Sequence, residues 1–538
     1  MAAELKKKTT KKIKLFINNR EVETKPDSTI IQAADSLGIF IPRMCYFPGL
    51  TPPGSCRICQ VEIKGMNKLE LACKTQIKEG MEIFTDTDKV LKAQKSVLEL
   101  LLIDHPLDCP ICDQAGECIL HDYFMKIGLY KSRFIENKVQ KPKVQDYGKY
   151  IVYDGERCIL CTRCIRFLDE VSKTSELALV ERGNKTYISI FPGKKIDNPY
   201  SLNVTEICPV GALTSKDFRF KCRVWFLQST PSICPGCSRG CNIFIDHFKN
   251  EAYRYRARPN MKVNKHWLCD DGRMTFKIIK DENRITSPMM KKDGKLNKIS
   301  LQKAYKTIVD KFKALNKKDT KKIYGLASPF ASNEDNYLFV KFMREIVGTE
   351  NIDYRISDYS GFSDDILICK DHTPNSNGAE NMGAIPGKEG KSFADLISPD
   401  NDSRIKILYV MDHDLLKIMG KEQFEIFFSR IDTLILQSSY PNSTVEYADI
   451  FLPTTLWAES SGTFTNGFKR IQEFSKALEP VGETKTHWEH FIELSKPLGK
   501  TFKFKTSREI TREIAKNVKG YLRLSEGKIA ERGVLVKK

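Results

Sequence analysis

Seventeen cysteines, sixteen of them within the first 269 residues, constrain this 538-residue chain more than any other feature. A disulfide framework of that density belongs to secreted chains. The N-terminus carries Lys6, Lys7, Lys8, Lys11, Lys12 and Lys14 with no apolar stretch after them, so it does not read as a secretory signal. It also lacks the Arg- and Ser-rich amphipathic character of an organelle transit peptide. No run approaches the roughly 20 apolar residues that cross a bilayer. The best one, Val97 to Ile103, is broken by Glu99. Metal or cluster ligation in a reducing compartment is the expected use of these thiols.

Spacing divides the cysteines into four groups. Cys45, Cys56, Cys59 and Cys73 form C-x10-C-x2-C-x13-C. Ahead of them, Ile13, Leu15 and Ile17 alternate with polar residues and Asn18–Asn19 offers a turn, which predicts a hairpin. Ile30, Ile31, Ala33, Ala34 and Leu37 then repeat at helical spacing, with Gly38 as the stop. Strand, strand, helix and cysteine loop is the layout of a 2Fe-2S ferredoxin domain. Its first gap is longer than the plant-type C-x4-C, and Pro48, Gly49, Pro52, Pro53 and Gly54 can fold the extra length over a cluster. The competing reading is zinc, although all-cysteine zinc sites usually present two C-x2-C pairs.

The second group, His105, Cys109, Cys112 and Cys118, has three thiols, so a 4Fe-4S cluster there needs His105 as its fourth ligand. His105 follows an apolar helical stretch from Val90 to Ile103 and precedes Pro106, so it could instead cap that helix. The third group, Cys158, Cys161, Cys164 and Cys208, wraps a cubane corner with C-x2-C-x2-C and ends in Cys-Pro. The position where a two-cluster ferredoxin places another Cys is Leu168, so one cluster is expected. The fourth group is Cys234, Cys237, Cys241 and Cys269, where zinc competes with a third 4Fe-4S cluster. Only Cys222 and Cys369 remain, and both read as buried small hydrophobes.

The order and spacing of these groups resemble the large cluster-bearing subunit of respiratory NADH:quinone oxidoreductase, complex I. The matching segments are Pro53-Gly-Ser-Cys-Arg-Ile-Cys59, His105-Pro-Leu-Asp-Cys-Pro-Ile-Cys112, Gly116-Glu-Cys118, Cys158-Ile-Leu-Cys-Thr-Arg-Cys164 and Cys208-Pro-Val-Gly-Ala-Leu213. The resemblance implies one 2Fe-2S and two 4Fe-4S clusters, with His105 ligating in the second group. It also implies an added 4Fe-4S cluster on the fourth group, found only in some family members and standing apart from the main electron route. It further implies an electron-relay subunit of an ion-translocating enzyme, with no substrate site of its own. NADH and FMN then bind a partner chain, and other subunits of the peripheral arm carry electrons to quinone. The expected location is the cytoplasmic face of a bacterial inner membrane, or the matrix side in an organelle.

From about residue 280 short strands and helices alternate. Ile323 to Ala327, Ile405 to Val410 and Thr433 to Leu436 read as strands, and Ser332 as the N-cap of a helix through Phe342. This predicts an α/β domain with a parallel sheet. The run Ala448-Asp-Ile-Phe-Leu-Pro453, with Trp457-Ala-Glu459 and Gly462-Thr-Phe-Thr-Asn466, resembles the molybdopterin-oxidoreductase fold, which the complex I subunit keeps without the cofactor, so no molybdopterin is expected. The 68 residues after Arg470 are fewer than relatives carry, so a shortened last domain is expected. Neither a G-x-G-x-x-G between strand and helix nor a P-loop occurs, and Gly387 to Gly390 reads as a surface loop.

The expected architecture is multidomain, mixing α+β and α/β. A basic tail (1–12) precedes a 2Fe-2S ferredoxin-like, β-grasp domain (13–89). A 4Fe-4S segment with one histidine and three cysteines (90–130), a 4Fe-4S ferredoxin-like domain (131–220) and a four-cysteine domain (221–280) follow. A truncated molybdopterin-oxidoreductase-like α/β domain (281–538) ends the chain. The net charge of +19 is spread along the sequence, and only the first 14 residues form a compact basic run. A basic zinc-ribbon nucleic-acid binder explains neither His105 nor the 2Fe-2S loop, so neither nucleic acid nor direct membrane contact is expected. The rival readings are the catalytic subunit of a molybdenum formate dehydrogenase and the diaphorase subunit of a soluble hydrogenase. The first needs a metal-binding Cys in the α/β part, where Cys369 is the sole candidate.

Overall fold

A computed structural model describes residues 12–316, 318–398, 401, 403–522, 524, 529 and 532–536. Apart from Lys12, the basic tail lies outside the described residues. The chain divides into two compact units, Met1–Phe226 and Leu227–Lys538.

The first unit opens on the predicted hairpin, β1 (Ile13–Ile17) and β2 (Arg20–Thr24), paired antiparallel. Asn18 and Asn19 both take positive φ, 49° and 63°, which suits the right-handed twist of the flanking strands. Helix α1 (Ile30–Ser36) follows, its start tied by Gln32 Oε1, which accepts from the Thr29 amide at 2.9 Å. Strands β3 (Gln60–Ile63), β4 (Glu70–Leu71) and β5 (Glu82–Phe84) complete a sheet of order β2-β1-β5-β3-β4, with β1 and β5 parallel at its centre. Leu15, Ile17, Ile30, Ile31, Val61 and Ile83 form its core. This is the β-grasp arrangement, with Cys45, Cys56 and Cys59 in the connection between α1 and β3.

Helix α2 (Asp88–Leu102), N-capped by the Thr87 hydroxyl, and α3 (Ile119–Ile127) carry the second group between them. Strands β6 (Gln145–Asp146) and β7 (Ile151–Tyr153), α4 (Arg163–Phe167), the hairpin β8 (Leu177–Val180) and β9 (Tyr187–Ile190), α5 (Asn203–Ile207) and β10 (Leu213–Ser215) surround the third.

The second unit begins with an antiparallel sheet of β11 (Gln228–Ile233), β12 (Asn242–Phe248) and β13 (Glu251–Ala257), followed by α6 (Asp270–Met274) and α7 (Phe276–Ile279). A seven-stranded sheet comes next. A hairpin of β14 (Met289–Lys292) and β15 (Lys295–Lys298) leads to α8 (Leu301–Lys313), β16 (Ile323–Leu326), α9 (Asn333–Lys341) and β17 (Ile352–Asp353). Strands β18 (Ile407–Met411), β19 (Leu434–Ser438) and β20 (Ile450–Pro453) complete the order β15-β14-β20-β19-β18-β16-β17. From β20 to β17 the pairs are parallel. Ile407, Tyr409 and Met411 face one core and Leu408 and Val410 the other, as a sheet covered on both faces requires. A smaller sheet joins β21 (Gly462–Thr465), β22 (Arg470–Phe474) and β23 (Val534–Leu535).

The N-cap at Ser332 forms as expected, in a capping box with Asp335. Two strands shift. Ile405 makes only an isolated bridge to Ile431. Strand β19 runs past Leu436 because buried Gln437 finds partners, accepting from the Tyr409 hydroxyl at 2.8 Å and donating to the His487 carbonyl at 3.2 Å. Among the described residues no helix is long and apolar enough to cross a membrane.

Candidate iron–sulfur sites

The first group closes through its thiols: Cys45 is hydrogen-bonded to Cys56 and Cys73, and Cys73 in turn to Cys59. The Cys45 amide also donates to Cys56 Sγ at 3.5 Å. Bonds from Cys56 and Cys73 hold the Cys45 thiol far below its ordinary range, and the bond from Cys73 lowers Cys59. Cys56 and Cys73 are driven up correspondingly, chiefly by their bonds to Cys45. Gly54 suits this loop because its backbone is left-handed. Its φ is +71°, and a Cβ there would lie 2.7 Å from Lys74, the neighbour of Cys73.

In the second group, Cys109 opens a short 3-10 turn through Pro110, and Cys118 stands at the N-cap of α3. Cys109, Cys112 and Cys118 lie within electrostatic range of one another, and burial pushes Cys118 up to about 11. His105 and Cys112 share Asp108 and Arg157 as charged neighbours. Burial above all lowers the imidazole to about 4, so the ring is neutral. The helix-cap role falls to another residue. Lys138 Nζ donates to the carbonyls of Leu102 and Ile103 at 2.9 and 2.6 Å, while His105 Nδ1 is buried without a partner. A neutral imidazole with an orphaned buried nitrogen fits the donor an iron needs.

The third group lines a small, mostly apolar pocket shared by Cys158, Cys161, Cys164 and Cys208 with Tyr153, Ile188, Val210, Ala212 and Leu213. Leu160 and Thr162 take positive φ, 53° and 59°, turning the Cys158–Cys164 loop around that volume. Burial pushes Cys158, Cys161 and Cys208 up to about 11 and Cys164 well above its usual range. Thiols so desolvated suit an electropositive metal frame that neutralises them.

The fourth group is built on the turn between β11 and β12. Cys234 and Cys241 flank it, joined by a Cys234 N–H to Cys241 carbonyl bond of 2.8 Å. Cys269 N-caps α6 and its sulfur accepts from the Gly272 amide at 3.3 Å. A Cβ at Gly272 would lie 2.9 Å from Cys234 Sγ and 3.1 Å from Cys269 Sγ, so only glycine permits this approach. Burial raises Cys234, Cys241 and Cys269, the last to about 12.

Cys237 differs: a hydrogen bond from Cys369 holds it down at about 6. This corrects the expectation for Cys369, which lies against a candidate ligand instead of inside an apolar core. It and Cys222 are only half-buried. Among the described residues no three Cys, His, Asp or Glu side chains converge on one point as a single-ion site requires.

Arginines tie the first unit's loops together, a role the sequence did not suggest. Arg163 donates to the carbonyls of Tyr46 at 2.8 Å and Ile207 at 3.1 Å, next to Cys45 and Cys208. Arg166 donates to the carbonyls of Cys45 at 2.5 Å and Thr51 at 2.6 Å. Arg157 bonds Asp108 beside Cys109, and the Ile119 amide bonds the Pro209 carbonyl at 3.0 Å. Gly211 lets Cys112 reach the third loop, since a Cβ there would lie 2.3 Å from its sulfur.

The fold and these loops define an iron–sulfur protein joined to a molybdopterin-oxidoreductase fold, and family models agree segment by segment. A 2Fe-2S iron-sulfur cluster binding domain matches residues 10–88, and the NADH-ubiquinone oxidoreductase-G iron-sulfur binding region matches 94–133. The ferredoxin-like domain of NADH-quinone oxidoreductase subunit 3 matches 148–214. The molybdopterin oxidoreductase Fe4S4 domain matches 227–281, and molybdopterin oxidoreductase matches 284–366 and 371–497. The chain is similar to the G-type, or 75 kDa, subunits of NADH-quinone oxidoreductase. It is 39% identical to the second G-type subunit of Rhizobium meliloti over 63% of its own length and 40% of that protein's. Against the G-type subunit of Rickettsia prowazekii the identity is 38%, over 65% and 50%. Against the NADH-ubiquinone oxidoreductase 75 kDa subunit of Reclinomonas americana it is 38%, over 62% and 48%. The matches thus span about half or less of the length of these relatives.

Proposed function

We propose that this chain is the electron-relay subunit of an NADH:quinone oxidoreductase, standing between an NADH- and FMN-binding partner and the quinone-reducing subunits at a membrane face. Cys45, Cys56, Cys59 and Cys73 would hold one 2Fe-2S cluster. His105 with Cys109, Cys112 and Cys118, the Cys158 group and the Cys234 group would each hold a 4Fe-4S cluster. Bound clusters supply one-electron couples whose potentials follow burial and hydrogen bonding to sulfur.

The observation that carries this reading is the stitching of three cysteine loops in the first unit. The third group is bonded to the first through Arg163 and Arg166, and to the second through Arg157 and the Ile119–Pro209 bond. The third group is thus bonded to each of the other two, which are also joined to each other where the Arg43 amide donates to the Tyr123 hydroxyl at 2.9 Å. Its pocket is lined mostly by apolar side chains, and the guanidinium groups between loops offset the negative charge of thiolate-ligated frames.

The test is reduction of the purified chain under anaerobic conditions. NADH alone should leave its visible absorbance unchanged, and NADH with catalytic amounts of a flavin-bearing partner should bleach it. Direct NADH binding at micromolar affinity by calorimetry contradicts the assignment of that chemistry to a partner.

A further inference from the structure

Arg166, on α4 just past Cys164, is bonded to a candidate ligand residue in each of two cysteine groups. Its Nη2 donates to the carbonyl of Cys45 in the first group at 2.5 Å and to that of Cys161 in the third at 3.4 Å. Its Nη1 donates to the Thr51 carbonyl at 2.6 Å, and its Nε to the Thr162 hydroxyl at 3.3 Å. All three guanidinium nitrogens are engaged, so the positive charge is held in one place. Thr162 is the strained member of the third loop, a β-branched residue at φ 59° between Cys161 and Cys164. Glu170 completes the junction by accepting from the Thr51 amide at 2.8 Å, so Thr51 is gripped at both its amide and its carbonyl. The second group has a separate arginine, Arg223, which donates to the carbonyls of Cys112 and Pro110 at 2.6 Å each.

We propose that Arg166 is a positioning residue that sets the reduction potentials of the first and third centres together. The inference rests on the cluster reading of both groups. An added electron makes a thiolate-ligated frame more negative, and a fixed cation nearby favours that form and raises its potential. A cation bonded to a ligand residue of each group raises both, so the two potentials move in step with this one side chain. Arg166 is partly buried, which limits screening of its charge by solvent ions. Its bonds to Thr51 and Thr162 keep the guanidinium at the junction of the two loops.

The experiment is a redox titration of the anaerobically purified full chain, followed by paramagnetic resonance, in the parent, Arg166→Gln, Arg166→Lys and Glu170→Ala. A Cys164→Ala chain marks which cubane signal belongs to the third group. In Arg166→Gln the 2Fe-2S signal and that cubane signal should both move to lower potential, while the signals of the second and fourth centres stay. In Arg166→Lys, which keeps the charge, both should stay close to the parent's potentials, and this variant carries the test where Arg166→Gln fails to hold its clusters. Glu170→Ala cuts a tie to Thr51 and removes an anion, so neither potential should fall. Unmoved potentials in Arg166→Gln, movement of only one of the two signals, or a fall of both in Arg166→Lys overturns the proposal. A fall in Glu170→Ala assigns the effect to loosening of the loop and overturns it as well. A parent that shows neither the 2Fe-2S signal nor the third group's cubane signal overturns instead the cluster reading beneath the proposal.

Discussion

Arg163 and Tyr46 join two cysteine loops 117 residues apart through one buried bond, guanidinium Nη2 to backbone carbonyl at 2.8 Å. The same guanidinium reaches the Ile207 carbonyl and lies 5.6 Å from the Phe47 ring centroid. Arg163→Met removes the donor from two carbonyls and should lower the stability of the first unit by about 3 kcal/mol in urea unfolding. Arg163→Lys should recover only part, because an ammonium lacks the planar fork that spans both loops. A loss below about 1 kcal/mol for Arg163→Met contradicts this bridging role.

His105 should prove a ligand and not a helix cap, since Lys138 already satisfies the end of α2. His105→Ala should lose the cubane of the second group. His105→Cys should keep it at a lower potential, because an anionic ligand replaces a neutral one. Iron content with a redox-titrated paramagnetic signal checks both, and unchanged content and potential in His105→Ala contradict the assignment.

Glu334 sits fully buried, accepting from the Thr463 amide and hydroxyl at 2.8 Å each and from the Thr511 hydroxyl at 2.7 Å. Burial pushes its carboxyl up from 4.5 to about 7. The folded state thus binds the proton more tightly than the unfolded chain. The associated stability is fully present below pH 4.5 and is lost as pH rises through about 7. The loss amounts to about 3 kcal/mol. Glu334→Gln should remove that component, so parent and variant melting curves should diverge between pH 4.5 and 7. Identical pH slopes contradict it.

Much of this was legible because local chemistry dictates it. Asn18–Asn19 supply the left-handed turn, Ser332 supplies a cap, and the full burial of β18, between two cores, follows from an apolar run too short for a helix. Cysteine spacing marked four groups of candidate ligands, since a loop that wraps a cluster must return its sulfurs at fixed intervals. Arg163, Arg166 and Cys369 were invisible for the opposite reason. Their partners are backbone carbonyls or a sulfur more than a hundred residues away, and nothing in a linear sequence signals such a bond. Gly211 was overlooked in the same way, as its importance lies in the Cys112 sulfur it admits.

The fourth group should act more as a clasp than as a conductor. It ties the β11–β12 turn to the cap of α6, closing a 27-residue excursion between Cys241 and Cys269. Cys241→Ser should lower the melting temperature by several degrees, about 1–3 kcal/mol. Electron transfer from NADH to quinone should stay largely intact in whatever complex assembles. An unchanged melting temperature contradicts the clasp, and loss of most transfer in assembled complexes contradicts its place off the route.

The central claim, that these cysteine groups hold iron–sulfur clusters, is tested most directly by iron, sulfide and zinc analysis of the anaerobically purified chain, combined with paramagnetic resonance during dithionite titration. One 2Fe-2S and three 4Fe-4S clusters predict about 14 irons and 14 sulfides per chain, with one 2Fe-2S signal and cubane signals appearing at distinct potentials. Stoichiometric zinc without acid-labile sulfide in any group contradicts the account for that group, and in all four it contradicts the account as a whole.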